Sequence, residues 1–580
     1  MGFCNRTVWA LFHFFPMYAI YDEEYWEQYR KVNESFSETV LEMVRPGDLV
    51  WIHDYHLMLL PRLLRTKLPD MPIGFFLHIP FPSFEIFRLL PSKWRREILE
   101  GLLGADLIGF HTHDYSQYFL RCVHRILGYE HSMGEIQAAD RLVKVDTFPM
   151  GIEFKKFQES AAKTKVKVRK EELRNRFKNL KVILSIDRLD YSKGILNRLR
   201  AFELFLEKNP QRLGKVVLLL VVVPSRIGVE HYQTMKKQID EMVGRINGRF
   251  ARVVWTPIIY QYRSLSFYKV QALYGISDVI LVTPLRDGMN LIAKEYVASR
   301  IDKTGVLILS EMAGAAKELG EAIIINPNTK EEIADALEEA LKMPYGEQKR
   351  RNEIMQDRLR RYDVTRWATE FIESLQTFKE QQRKQEARIL SPTLRHQLLE
   401  GIAQAKKKLF FFDYDGTLVP FASHPRLAVP THDVLNVLKQ FSQASNSDTI
   451  LTSGRDRESL DNWFGKLKIG MIAEHGVWTK NKNEDWKTMK LLSNDWKSQL
   501  RPIFEVYADR LPASFVEEKE FSLVFHFREA DRDLADLRTR ELVDNLVHLT
   551  TNMGVQVLMG SKVIELRNAG VNKGTAGMHF

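Results

Sequence analysis

Asp287 and Glu295 stand eight residues apart in the stretch LVTPLRDGMNLIAKEYVA, residues 281–298. The apolar run ending at Val282 and Thr283 reads as a buried parallel strand. Pro284 and Gly288 break it, and Asn290 onward has the composition of a helix. A strand, a Gly-containing turn and a helix start make an anion site, because the first turn's N–H groups have no intrahelical partner. An acid in the turn can hold sugar hydroxyls while the helix start holds a diphosphate, and a deeper carboxylate can take a ribose diol. That is a nucleotide-sugar site in outline, although an ordinary strand–loop–helix unit with solvated acids has the same pattern. Arg188 and Lys193, five apart after the apolar run of LKVILSIDRLDYSKGI, can clamp a diphosphate, Arg as a planar fork and Lys as a point charge. A solvated basic loop is the competing reading. A third pattern is KKKLFFFDYDGTLVP, where Asp413 ends a short apolar strand and Asp415, Gly416 and Thr417 follow. D-x-D-G-T also occurs in Ca²⁺-type loops and in chance turns.

These groups need a scaffold, and from Arg45 the chain alternates strands and helices. Apolar strands are expected to Ile52, at Ile73 to Leu77 and at Leu107 to Phe110, with helices from about Leu57 and Asp114. His53, Asp54, Tyr55, His56 and Asp106 are read as clustering at strand C-terminal ends, where open α/β sheets bind ligands; a satisfied core or loop histidine is the plainer reading of any one of them. After Met150 and Gly151 the pattern restarts. A basic helix covers Lys163 to Arg176, KVVLLLVVVPSR delivers Arg226 at a strand end, and RVVWTPII adds another strand. Near-continuous apolar strands argue parallel sheets. Two Rossmann-like halves with a cleft between them describe the GT-B architecture, an α/β class.

Bulk properties agree with several enzyme-sized domains. The 580 residues are 45% hydrophobic and 27% charged, and 84 basic against 74 acidic residues leave a net charge of +10. That excess suits small polyanionic substrates at least as well as nucleic acid, since no Lys/Arg block is long enough for a nucleic-acid arm. Two cysteines, Cys4 and Cys122, give neither a disulfide framework nor a four-cysteine metal site. The longest strongly apolar run, Val216 to Val223, is far short of a membrane span. A cytoplasmic protein without nucleic-acid or membrane partners is expected.

HDYHLMLLP, GFFLHIPFPSFEIF, DLIGFHTHDY, RLDYSKG and TPLRDGMNLIAKEYVA together resemble trehalose-6-phosphate synthases, retaining GT-B enzymes, over residues 5–378. The resemblance implies transfer of glucose from UDP-glucose to glucose 6-phosphate with no metal or other cofactor in this part, UDP-glucose being a co-substrate. Arg188 and Lys193 would bind the UDP diphosphate. Asp287 would hold the donor glucose hydroxyls with the backbone from Gly288 through Met289 and Asn290 to Leu291, and Glu295 the ribose. Tyr55, Asp106 and Arg226 would bind the acceptor, Arg226 at its phosphate. No carboxylate is placed as a nucleophile, so Asp287, Arg188 and Lys193 would act by positioning and by neutralising the leaving diphosphate.

From Lys406 the strand–DYDGT unit followed by DTILTSGRDR resembles the haloacid-dehalogenase (HAD) phosphatases, and AEHGVW with GVNKGTA resembles trehalose-6-phosphate phosphatases among them. Asp413 would attack phosphorus and Asp415 would act as general acid and then base. Ser453, Arg455, His475 and Lys573 would bind phosphate or substrate, and Mg²⁺ would sit on Asp413 and Asp415. The expected domains are 1–148 (acceptor half), 149–378 (UDP-glucose half), a helical linker at 379–405, and a phosphatase at 406–580 with a cap at about 496–551. Thr365 to Phe378 is the helix expected to cross back to the first half. Against the family pattern both ends are expected to be truncated: a first strand and Gly-rich loop would precede Met1, and a G-D-D-x-x-D-E metal motif would follow Phe580. The expected function is two-step trehalose synthesis. The alternative is a non-catalytic regulatory or scaffold homologue binding nucleotide sugar or sugar phosphate. A homo-oligomer or a complex with other trehalose-pathway subunits is compatible with either.

Overall fold

The computed structural model describes residues 2–138, 141–225, 230–386, 392–420, 422, 427–444, 446–488, 492–550, 553–560 and 562–580. The chain divides into two compact units, Met1–Arg388 and Ile389–Phe580.

The first unit holds two sheets. Strands β1 (Val50–His53), β2 (Ile73–Phe76), β3 (Leu107–Phe110), β4 (His131–Ser132), β5 (Glu135–Ala138) and β6 (Arg141–Thr147) form one, in the order β1-β2-β3-β6-β5-β4. β1, β2, β3 and β6 run parallel, and β4–β5 turn back antiparallel at one edge. Strands β7 (Lys181–Arg188), β8 (Val216–Val223), β9 (Ile258–Tyr262), β10 (Val279–Val282), β11 (Val306–Ser310) and β12 (Ile323–Ile325) form the other, all parallel, in the order β12-β11-β10-β7-β8-β9. β8 reads VVLLLVVV and is buried along seven of its eight residues. Helices cover both faces of this sheet, so its strands need no polar alternation. Separate apolar clusters on each face bear this out, one around Leu199, Phe202 and Ile239, the other around Leu184, Tyr296 and Leu309.

Helix Val364–Glu386 returns from the second sheet to the first. Trp367, Phe371 and Leu375 pack on Phe76, Leu107 and Phe148, and the Trp367 indole N–H donates to the Phe148 carbonyl at 3.2 Å. The helix continues past Phe378 to Glu386. Lys379 and Gln382, expected in a linker for their polarity, are buried on the first sheet: Lys379 Nζ lies 3.5 Å from Asp106 and Gln382 donates to the Leu142 carbonyl at 2.6 Å. Residues 387–391 of that expected linker lie outside the described residues, and helix Pro392–Gln404 follows.

In the second unit, after helix Pro392–Gln404, one sheet holds β13 (Lys408–Asp413), β14 (Ser447–Thr452), β15 (Gly470–Ala473), β16 (Trp478–Lys480) and β17 (Lys487–Thr488), in sequential order with the first three parallel. A second, antiparallel sheet carries β18 (Phe515–Glu518), β19 (Ser522–His526), β20 (Val555–Gly560) and β21 (Val563–Asn568) in the order β18-β19-β21-β20. With helices Trp496–Asp509 and Arg532–Thr550 it has its own core around Phe504, Phe525 and Leu566. This layer extends to Asn568, past the expected limit near 551, because β21 supplies the strand between β19 and β20.

Candidate active sites

The first site lies at the C-terminal ends of β7 and β10. Asn290 takes a left-handed conformation (φ 72°), caps helix Leu291–Ser299 by accepting from the Ala293 N–H at 3.4 Å, and donates from Nδ2 to Asp287 Oδ2 at 2.9 Å. The other partner of Asp287 Oδ2 is Lys193 Nζ at 2.5 Å. Lys193 ends a turn, Tyr191–Lys193, that Asp190 caps by accepting from the Ser192 N–H and hydroxyl at 2.9 and 2.8 Å. Beneath it Arg198, wholly buried, grips Asp187 at 2.5 Å and the Lys193 carbonyl. Burial opposes the Lys193 cation, but Asp287, Asp187 and Asp190 outweigh it and hold its pKa above the ordinary value. Burial likewise opposes the Asp287 anion, and Lys193 outweighs it and holds the carboxyl below its ordinary range. The pair is therefore ionised at neutral pH.

A cavity of about 250 Å³ opens above this pair, lined by Arg188, Lys193, Asp287 and residues 289–292 on one side and by His78, His111 and Met150 on the other. Gly288 is needed where it stands: a Cβ there would strike the carbonyl oxygen of His78, which belongs to the first half. Glu295 lies one turn deeper, partly buried, and accepts from the Tyr274 hydroxyl at 3.0 Å, and burial raises its carboxyl pKa. It is not part of the cavity lining.

On the facing half, the C-terminal ends of β1, β2 and β3 bring His53, His78 and His111 together, with His53 Nδ1 3.0 Å from His78 Nε2. Burial pushes the imidazole of His78 down to about 4, so it is neutral. Tyr55 is buried beside Trp9, with ring centroids 5.9 Å apart. Arg188 reaches across to the Trp9 ring, 5.9 Å from its centroid. Asp106 requires a correction. It precedes β3 and so lies at the opposite, N-terminal end of the sheet, wholly buried, held by Arg65 and Arg141 at 2.6 Å each and by the Ile73 N–H at 2.8 Å. Its carboxylate neutralises a structural cluster of cations and is not placed with Tyr55. Arg226 lies outside the described residues.

Sequence reading passed over His13, His78 and His111 here. His13 is buried, its Nδ1 bonded to the Trp9 carbonyl at 2.9 Å. Burial pulls its imidazole down to about 4, and it faces Asp190, Lys193 and Asp287. Burial also raises the Asp54 carboxyl to about 6. A usable signal existed for His78 and His111, which directly follow the apolar runs that end at Leu77 and Phe110.

The second site lies at the ends of β13 and β14. Asp413 pairs in register with Thr452, and its Oδ1 meets Lys573 Nζ at 2.6 Å. Asp415 is gripped by Arg455, at 2.7 Å from Nη2 and 3.1 Å from Nε, and lies 3.5 Å from the buried Ser453 hydroxyl. Glu474 and His475 both take left-handed backbone (φ 45° and 55°). Burial, then Arg567, Lys573 and Lys519, push His475 down to about 3, so the ring is neutral. The structure thus brings Asp413, Asp415, Ser453, Arg455, His475 and Lys573 to one place. Between them and the antiparallel sheet is a cavity of about 970 Å³. Its far wall carries Glu517, Lys519, Glu520 and His526, which sequence reading missed although the run VEEKE is dense in charge for a strand end. Lys519 Nζ donates to the Gly454 carbonyl at 2.9 Å.

Among the described residues no three His, Cys, Asp or Glu side chains gather as a metal site. Asp413 and Asp415 are nevertheless a fitting pair for a hard divalent cation, which takes one or two carboxylates and completes its shell with water and phosphate oxygens.

Comparison with known proteins finds relatives for both units. The family model described as "Glycosyltransferase family 20" matches residues 1–377, and the one described as "Trehalose-phosphatase" matches residues 411–579. A bifunctional trehalose-6-phosphate synthase/phosphatase of Thermoproteus tenax is 48% identical over 99% of this chain and 79% of its own length. A UDP-forming alpha,alpha-trehalose-phosphate synthase of Dictyostelium discoideum is 41% identical over 98% and 77%. Among solved structures, the UDP-forming synthase of Burkholderia xenovorans matches with TM-score 0.63 at 39% identity, covering 65% of this chain and 84% of that one. An E. coli structure described as bound with UDP-2-fluoro glucose matches with TM-score 0.63 at 38% identity, covering 64% and 83%.

Proposed function

The chain belongs to glycosyltransferase family 20 and carries a trehalose-phosphatase domain behind it; on that premise we propose that it makes trehalose in two steps. The GT-B unit joins glucose from UDP-glucose to glucose 6-phosphate with retention, and the HAD-type unit hydrolyses the resulting trehalose 6-phosphate. The observation that carries this reading is the ionised Lys193–Asp287 pair at 2.5 Å on the floor of a cavity walled by both halves.

In the first step Lys193 and Arg188 neutralise the diphosphate, Asp287 and the backbone of residues 288–291 hold the glucose, Glu295 takes the ribose, and Tyr55 and Arg226 hold the acceptor. The bond from glucose C1 to the diphosphate oxygen breaks and its electron pair leaves with UDP. The acceptor's anomeric hydroxyl bonds to C1 from the same face and passes its proton to the departing phosphate oxygen. Positioning and charge neutralisation supply the rate.

In the second step an Asp413 oxygen bonds to phosphorus, the bond to the sugar oxygen breaks, and Asp415 gives that oxygen a proton. Asp415 then takes a proton from the water that cleaves the aspartyl phosphate. Lys573 and Ser453 hold the phosphate oxygens, and Arg455 keeps Asp415 in place. Mg²⁺, held by Asp413 and Asp415, would supply further neutralisation of the phosphate when bound.

The test is one assay of UDP, trehalose 6-phosphate and free phosphate from UDP-glucose plus glucose 6-phosphate with Mg²⁺. Asp287→Ala is expected to cut UDP release by roughly two to three orders of magnitude while phosphate release from added trehalose 6-phosphate continues. Asp413→Asn is expected to do the reverse and let trehalose 6-phosphate accumulate. Donor binding with neither product from the wild type would favour the sensor reading.

A further inference from the structure

The donor loop at residues 286–290 is fastened mostly from its own half. The Asp287 N–H donates to the Met312 carbonyl at 3.1 Å, and its carboxylate is held by Lys193 and Asn290. Its carbonyl is different: it accepts, at 3.1 Å, from the hydroxyl of Tyr115, a residue of the facing half. Tyr115 lies in the first turn of helix His113–Leu127, which Thr112 caps by accepting from the Tyr115 N–H at 3.4 Å directly after β3 and His111. The ring is 4% exposed, and burial raises the phenol pKa, so the hydroxyl is a donor across the neutral range.

The Arg286 side chain also reaches the Tyr115 side chain as a hydrogen-bond partner, and the other neighbouring cross-half contacts are of other kinds. Lys317 and Asp114 form an ion pair at 3.3 Å with side chains 63% and 53% exposed, a class that contributes little. Arg286 lies over the Phe14 ring, 4.0 Å from its centroid. Gly288 abuts the His78 carbonyl without bonding to it. Tyr115 thus supplies a directed, partly buried hydrogen bond between the acceptor half and the backbone of the residue that would hold the donor sugar.

We propose that Tyr115 is a positioning residue that couples the alignment of Asp287 to the seating of the acceptor half. This rests on the reading of Asp287 as the donor-sugar ligand. With the halves together the tether holds Asp287 in register with the acceptor. With them apart, the loop keeps its own-half fastenings but loses its reference to the acceptor. The coupling favours transfer over the competing hydrolysis, in which a water oxygen bonds to C1, UDP departs with the bonding pair, and the water proton ends on the diphosphate.

Tyr115→Phe removes the hydroxyl and keeps the ring. The kcat for transfer is expected to fall about tenfold, the scale of one partly buried hydrogen bond with its acceptor left unpaired. UDP-glucose affinity without acceptor should stay within about twofold, and the ratio of transfer to hydrolysis should fall. A merely structural role would lower active fraction without moving that ratio. Lys317→Met, which breaks the exposed pair at the same mouth, should leave the ratio unchanged. Amide hydrogen exchange of residues 286–290 in the ligand-free protein should be faster in Tyr115→Phe than in wild type. An active wild type with an unchanged ratio and unchanged kcat in Tyr115→Phe would overturn the proposal. A wild type that releases no UDP would instead overturn the functional reading, and unchanged exchange at 286–290 would then sink the tether on its own.

Discussion

Glu474 shows how a single buried carboxyl makes stability depend on pH. Its side chain is 5% exposed, one of its oxygens has no hydrogen-bond partner, and burial raises its pKa from 4.5 to about 7 despite Lys519 nearby. Below pH 4.5 the carboxyl is protonated in both folded and unfolded chains, and the site is neutral to stability. Between 4.5 and 7 the unfolded chain releases its proton while the folded one keeps it, so stability declines as pH rises. Above 7 both are ionised and the full penalty stands. Glu474→Gln removes that penalty and keeps an acceptor for the backbone. Urea unfolding of the second unit should show no gain at pH 4.5 and a gain of up to about 3 kcal/mol at pH 8. A gain independent of pH would refute the burial argument. Nothing in the sequence announced this group, since a Glu in AEHG looks solvated until the strand before it is seen to bury it. Asp106 is the opposite case. Chain direction alone puts a residue ahead of β3 at the strand's start, yet the polar character of DLIGFHTHD drew it to the wrong end. Lys193 and Asp287 were legible because each follows a long apolar run in a Gly-containing turn.

At the scale of elements, the strands were readable wherever burial on both faces removed alternation, as in β8. What the sequence hid was close approach between elements that are distant in the chain. Gly288 is the clearest instance: its neighbours in the chain permit any small residue, and only the His78 carbonyl of the facing half forbids a Cβ. Gly288→Ala must push the donor loop away from that half, because the obstacle is backbone and has no rotamer to give. Transfer is expected to fall more than about tenfold, the effect of displacing a reacting group by an ångström or so. The second sheet should unfold at a urea concentration not far below that of the wild type, since the loop contributes Met289 to its core clusters and most of the other members lie on strands and helices. Normal transfer kinetics in this variant would show that the halves approach differently in the working enzyme. Helix Val364–Glu386 hid the burial of its last turns for a related reason. Lys379 and Gln382 look like linker residues, but Asp106 and the Leu142 carbonyl give their polar ends partners inside the fold, which removes the cost of burying them.

The whole molecule carries two chemistries on two units, and each unit buries its own apolar clusters. Phe464 is wholly buried in the second unit, among Tyr414, Leu451 and Leu460, directly behind the DYDGT loop. Phe464→Ala leaves a cavity there and should destabilise that unit by about 3–5 kcal/mol. The Tyr414 ring, 5.6 Å from it, loses its support, and with it the spacing of Asp413 and Asp415 on either side. The first unit has no share in this core. In calorimetry one transition should therefore shift down while a second keeps its midpoint, and at a temperature between them the protein should release UDP but no phosphate. The product left behind would be trehalose 6-phosphate, which would identify the failed step chemically and independently of any unfolding signal. A single transition moving as a whole, with both activities lost together, would mean that the two units fold as one cooperative body despite their separate cores.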